Sequence, residues 1–270
     1  MEPTPPGESD APSGLRRELG MLDTTAVVVG AVVGVGIFFT PSRVAALAGD
    51  GGLALAAWAI GGLVALAGAF TLAELGAMYP RTGGQYTALR DAYGVGVAFV
   101  YVVCNATAIQ AGSIAVIALV CGQHLAVGFA GRELAPLSAT LVATLLVVAL
   151  ATVNAIGVRW GARIQNATVL AKLFVLLAIT CFAVVAPSEP LARATPEGGA
   201  ALAILAAMVP VLFSFGGWQQ VTWIGGEVRD AERTLPRAIV VGVLVIVGIY
   251  LLVNWAFLQL LGVERAAASQ

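Results

Sequence analysis

The sequence predicts an all-α membrane protein: a helical bundle of about seven transmembrane segments built as inverted repeats, its first and sixth segments unwound in mid-membrane. Three observations predict it. Of 270 residues, 59% are hydrophobic and only 11% charged, at a mean hydropathy of +0.93, whereas an ordinary soluble chain carries about 25% charge. Apolar runs long enough to cross a bilayer, about 20 residues each, recur seven times. Glycine clusters beside a proline interrupt the first and the sixth of these runs.

The chain opens on a polar, Pro- and Gly-rich stretch, MEPTPPGESDAPSGLRRELG. It has no apolar core, so it is no cleaved signal peptide, and residues 1–21 are expected to form a disordered cytoplasmic tail. Residues 22–270 form the membrane domain, with spans near 22–48, 52–78, 95–121, 137–156, 164–186, 200–226 and 238–262. The connections fall into two alternating sets. One holds Arg16, Arg17, Arg81, Arg90, Arg159, Arg163, Arg229, Arg233 and Arg237; the other holds Arg132, Arg193 and Arg265. Basic residues concentrate on the cytoplasmic side, so this bias predicts a multi-pass protein of the plasma (inner) membrane with its N-terminus in the cytoplasm. The fifth run contains Lys172, and a mid-span charge costs about 2.5–3.5 kcal/mol on insertion. Removing that span would carry the Arg-rich loop 227–237 to the outside, so the span is kept.

The first span contains Gly34-Val35-Gly36-Ile37-Phe38 with Pro41 close behind, and the sixth contains Pro210 followed by Phe213-Ser214-Phe215-Gly216-Gly217-Trp218. Each glycine weakens a helix by roughly 1 kcal/mol relative to alanine, and a lone membrane glycine ordinarily serves close packing. Two such clusters five spans apart mean more. Segment one runs inside to outside and segment six outside to inside, the relation of inverted repeats, and paired broken segments point to a secondary transporter's midplane site. Non-helical backbone at that depth must line a cavity or be buried in protein. Unwinding at Gly34-Val35-Gly36 frees N–H groups at the positive end of the outer half-helix, which suits a carboxylate. Unwinding around Ser214-Phe215-Gly216 offers carbonyls, which suit an ammonium. Together these describe an α-amino acid, with the rings of Phe213 and Phe215 available to cover it.

At these residues the sequence resembles the amino acid–polyamine–organocation superfamily, most closely the L-type amino acid transporter group and its bacterial relatives. The resemblance runs from about Leu22 to Gly262. It rests on GAVVGVGIFFTP, AELGAMYPRTGGQYTALRDAYG, NAIGVRWGARIQNATVLAKL, LFSFGGW and GGEVRDAERTLPRAI. It implies a LeuT-type fold of five-plus-five inverted repeats, here a first repeat over 22–186 and the first two helices of the second over 200–262. It also implies that the positions matching Gly34 and Gly36, with Val33, Val35 and Ile37 around them, hold the substrate carboxylate. Those matching Phe213 to Gly217 then hold the amino group, with Phe213 as the gate. Lys172, the chain's one lysine, matches a fifth-span lysine that stands where sodium-coupled relatives hold sodium.

A lysine can also snorkel to an interface, but Lys172 lies about a third of the way into its span. An ammonium bonded to first-span carbonyls would replace a sodium ion, and desolvation, which disfavours the charged form, would allow proton linkage. Sodium-independent transport is therefore expected. Gln219 is neutral where some relatives that handle arginine or agmatine carry a glutamate, and no acid lies near either break, which favours neutral amino acids. Asn105 and Gln110 in the third span are candidates to face the substrate, with helix–helix hydrogen bonding the alternative. Glu74 reads as an interfacial or interhelical partner, His124 as a solvated loop residue, and Trp218 and Trp223 as packing or interfacial aromatics.

Other functions are disfavoured by what is missing. A net charge of −1 provides no field for a polyanion, so no nucleic acid partner is expected. Cys104, Cys121 and Cys181 lack metal spacing, and no metal or other cofactor is implied. Residues 122–136 contain no cysteine, so no disulfide-linked heavy subunit is expected. An intramembrane enzyme would need acids, bases or metal ligands in its spans, which one His and no mid-span carboxylate pair do not supply. The expected partners are an amino acid, the lipid bilayer and, as a candidate coupling ion, the proton. Either amino acid exchange or proton-coupled uptake by alternating access would fit. Seven spans make one complete repeat and only two helices of the next, which predicts a C-terminal truncation and leaves a non-transporting or accessory protein of the same fold as the alternative.

Overall fold

Six helices among the described residues are long and apolar enough to cross a bilayer, and a bent helix pair makes a seventh. The computed structural model describes residues 17–34, 36–156, 158–188 and 198–269. The expected class, an all-α membrane protein, is the one observed. Span one is α1 (Met21–Val32) and α2 (Gly36–Ala48), bent by 50° at the break. Span two is α3 (Gly51–Met78), begun by Asp50, whose carboxylate accepts from the N–H of Leu53 at 2.9 Å. That cap satisfies one of the four N–H groups a helix start leaves without partners.

A short helix, α4 (Gln85–Tyr93), then leads into span three. Span three comprises α5 (Val95–Cys104), a π-helical turn over Asn105–Gln110 and α6 (Ala111–Ala130). Span four is α7 (Pro136–Ile156) and span five lies within α8 (Val158–Val185). In span six, α9 (Ala200–Ser214) gives way to a 3-10 helix over Trp218–Glu227. Span seven is α10 (Ala231–Ala268), kinked at Gly262, where φ is 68°.

The core lies among spans one, two, six and seven. Over an apolar 18-residue stretch of each span, 39% and 44% of the residues are buried in spans two and seven, against 11% in each of spans three, four and five. Small residues permit the close packing, as expected where lipid provides no hydrophobic drive between helices. A Cβ on Gly61 of α3 would strike Val211 of α9, and one on Gly62 would meet Val247 of α10 at 2.8 Å. Trp58, Phe215 and Tyr250, all buried, join spans two, six and seven through ring contacts of 5.2–5.8 Å. The two edge-to-face pairs, Trp58–Phe215 and Trp58–Tyr250, each contribute about 0.5–1.5 kcal/mol beyond the area they bury.

Three boundaries differ from expectation. Span three does not stop near residue 121 but continues to Ala130, so His124 belongs to a helix rather than a loop. Its ring nitrogen Nδ1 lies 2.9 Å from the Val120 carbonyl and the ring stacks edge-on against Phe39 at 4.7 Å. The helix stops instead at Gly131, whose φ of 64° provides the left-handed C-cap. Span seven starts at Ala231, where Asp230, at φ 46°, turns the chain into the helix. Of the expected tail, residues 1–16 lie outside the described residues. Residues 18–19 pair with the loop after span six through a parallel bridge between Leu19 and Val228.

Candidate functional site

The two interrupted spans meet at their breaks. The N–H of Gly34 donates back to the Val32 carbonyl at 2.6 Å, which turns the chain out of α1. Val35 lies outside the described residues. From Gly36 onward α2 is helical, so its first N–H groups point down the axis with no intrahelical carbonyl to receive them. This first turn packs on span six: a Cβ on Gly36 would lie 3.1 Å from the Ser214 hydroxyl. That hydroxyl donates to Thr40 Oγ1 at 2.7 Å, a buried link between α9 and α2.

Span six breaks just beyond Ser214. Gly217 has φ 117°, and a Cβ there would meet the Ala31 carbonyl oxygen at 2.5 Å, so both the conformation and the fit against α1 require glycine. The Gly217 N–H donates to Gln219 Oε1 at 3.1 Å, so Gln219 closes the break with its own side chain. Phe213 and Phe215 face opposite ways. Phe215 is 2% exposed, within the Trp58–Tyr250 cluster, whereas Phe213 is 72% exposed. The ends of four half-helices thus converge, with the positive end of α2 beside the negative end of α9.

The carbonyls released at the end of α1 are taken up by two other spans. Lys172 of α8 donates from Nζ to Val33 O at 3.2 Å. Tyr250 of α10, buried, donates its hydroxyl to Val32 O at 3.1 Å. A cation at a helix C-terminus also favours the helix dipole. Val33 and Ile37 are both fully buried. Asn105 and Gln110 form the two ends of the π-helical turn in span three, and neither side chain makes a hydrogen bond to either break among the described residues. Such turns concentrate at functional sites.

Two contributors escaped the sequence reading. Tyr250 is one of several aromatics in an apolar run, and nothing in its spacing marks a hydroxyl aimed at span one. Arg43 lies within α2 rather than in a connection, so it fell outside the count of loop charges. It lines a hollow of about 470 Å³ together with Phe213 and Pro210. Its signal was available: a charge only two turns from the glycine motif.

At the opposite end of span six several bonds tie the chain down. Glu18 and Leu19 each donate a backbone N–H to Glu227 O at 3.0 Å, and Arg229 N–H returns one to Leu19 O at 2.9 Å. Trp223 Nε1 donates to Gln85 Oε1 at 2.9 Å, which joins the 3-10 helix to α4. Gly84, at φ 51°, lets the Trp223 ring sit directly on the backbone.

Residues 19–269 match the family described as amino acid permease. The serine/threonine exchanger SteT of Bacillus subtilis (strain 168) is 33% identical over 258 residues, covering 94% of this chain and 57% of the exchanger. The human b(0,+)-type amino acid transporter 1 is 30% identical over 96% of this chain and 54% of its own. The human large neutral amino acids transporter small subunit 2 is 30% identical over 97% and 52%. The chain spans about half the length of the curated relatives it matches.

Proposed function

The chain belongs to the amino acid permease family, and on that premise we propose that it works as a secondary transporter of neutral amino acids, by alternating access, in the plasma (inner) membrane. The observation that carries this is the meeting of the first turn of α2 with the end of α9 at Gly36 and Ser214. A carboxylate suits the former and an ammonium the latter. In this reading Val33, Gly34, Val35, Gly36 and Ile37 surround the carboxylate, Phe213 to Gly217 the amino group, and Phe213 is the gate. Asn105 and Gln110, at the two ends of the π-helical turn in span three, are assigned to the substrate as polar residues of an apolar span, and the neutral Gln219 supports a neutral side chain.

The relatives' names bear on substrate and mode. One is an exchanger of serine and threonine, so exchange is the mode to test first and L-serine the first probe. The Lys172 bond to Val33 O supports a fixed cation where a coupling sodium would otherwise sit. The N-terminus is then cytoplasmic and the Leu19–Val228 bridge closes the cytoplasmic end. All the named relatives are transporters or a transporter subunit, which speaks against an enzyme.

Counterflow in proteoliposomes is the test. Vesicles preloaded with unlabelled L-serine or L-leucine should accumulate the tritiated form, equally well with sodium or choline as the external cation. Gly36→Leu should abolish it by filling the contact with Ser214. Sodium-dependent accumulation would overturn the role given to Lys172, and no accumulation by well-folded, monodisperse protein would overturn transport.

A further inference from the structure

We infer that Arg43 selects substrates by charge, receiving their carboxylates in the hollow it shares with Phe213 before they reach the break. The inference rests on the transport reading, extending it to a residue outside the two breaks. Arg43 follows Gly36 by seven positions, which is close to two helical turns. Arg43 therefore stands on the same face of α2 as Gly36, about 10 Å further along the axis. The hollow, about 470 Å³, is otherwise lined by Leu47, Ala206, Val209, Pro210 and Phe213. Its one charge is thus set in an apolar wall.

Three properties make this a receiving site. Arg43 is exposed and, among the described residues, makes no hydrogen bond or ion pair, so its donors face the hollow unspent. A guanidinium presents a planar fork of N–H donors that matches a carboxylate in two-point geometry. No acidic residue lines the hollow to cancel the charge. The hollow also reaches the break, since Phe213 and Pro210 belong to the last turns of α9. A substrate passing Phe213 moves from one positive group to another, from the guanidinium to the N-terminus of α2.

The effect is a selectivity. At about 10 Å, one unit charge shifts affinity by roughly two- to fifteenfold as the effective dielectric falls from 80 to 20. Glutamate and lysine side chains differ by two charges, so the gap between them should be at least about fourfold.

Competition binding tests this in the full chain, reconstituted in vesicles, with tritiated L-serine and tritiated L-leucine as probes in turn. Wild type should release probe to L-glutamate at a concentration at least about fourfold below that of L-lysine. Arg43→Gln should erase the difference, Arg43→Lys keep most of it, and Arg43→Glu reverse it. Raising salt toward 1 M should shrink the wild-type gap without any substitution. An unchanged glutamate-to-lysine ratio in Arg43→Gln and Arg43→Glu, with probe binding intact, overturns the inference and leaves the transport reading standing. Probe binding without counterflow removes transport, while the ratio still decides Arg43. A wild type that binds neither probe removes both.

Discussion

Two adjacent carbonyls, Val32 O and Val33 O, are held by donors from two different spans, the Tyr250 hydroxyl and the Lys172 ammonium. Tyr250→Phe should lower stability by about 1 kcal/mol, and Lys172→Met by about 1.5–3 kcal/mol, since the latter bond is charged. Because both bonds fix one stretch of backbone, the double variant should depart from additivity by about 0.5 kcal/mol or more. Thermal unfolding in detergent would measure all three; strict additivity would separate the two bonds. Gly217→Ala should cost more than either Tyr250→Phe or an alanine substitution within α9, because at φ 117° the new Cβ meets the Ala31 carbonyl. Lys172 was legible as the one lysine in an apolar run, and Gly36 and Gly217 as members of clusters beside prolines. Tyr250 was not legible, because its importance is created by span seven folding onto span one. The opposite facing of Phe213 and Phe215 was equally hidden, since it depends on how span six turns after Ser214.

The elements next to the breaks are tied together at one end of the bundle. Leu19 and Val228 lie side by side in a parallel bridge, within the reach of a disulfide if both are cysteine. In a background lacking Cys104, Cys121 and Cys181, the Leu19→Cys, Val228→Cys pair should lose counterflow on oxidation and regain it on reduction. Transport that persists through quantitative crosslinking would show that this end need not open there. Hydrogen exchange should also find the N–H groups of Leu19 and Arg229 protected, and Leu19→Pro should expose the latter. Both breaks could be located from composition, because glycine and proline act on the chain locally. The Leu19–Val228 bridge could not, since it joins residues more than two hundred positions apart that carry no signal of their own. The extension of span three to Ala130 was missed for a related reason: Gln123 and His124 are polar, yet Gln123 is held by a reciprocal pair of bonds with the Leu134 backbone.

For the whole molecule, the division between a buried core and exposed spans sets what can be measured. Spans three to five present large apolar side chains outward, among them Phe99, Leu145 and Phe174, and these faces suit lipid or further helices. Cysteines placed singly at Thr82 and Asp230 should react with a membrane-impermeant reagent only after the vesicles are opened, whereas one at Glu133 should react in intact right-side-out cells. The reverse pattern would invert the orientation proposed from the arginine bias. Hydropathy located the spans, with the arginine bias deciding span five, because lipid demands long apolar helices. It could not show which of them form the core, which depends on where small residues let helices approach.

The 3-10 stretch over Trp218–Glu227 gives span six a property that a continuous α-helix lacks. Ten residues rise about 2.0 Å each in this form but about 1.5 Å each as α-helix. Rewinding it would shorten the span by roughly 5 Å and swing its side chains around the axis. With Gly217 packed closely against Ala31 at one end and Trp223 held by Gln85 within the stretch, the segment is a strut with slack in reserve. Spin labels at Phe213 and Asp230 should therefore report two separations differing by about that length, their populations shifted by bound amino acid.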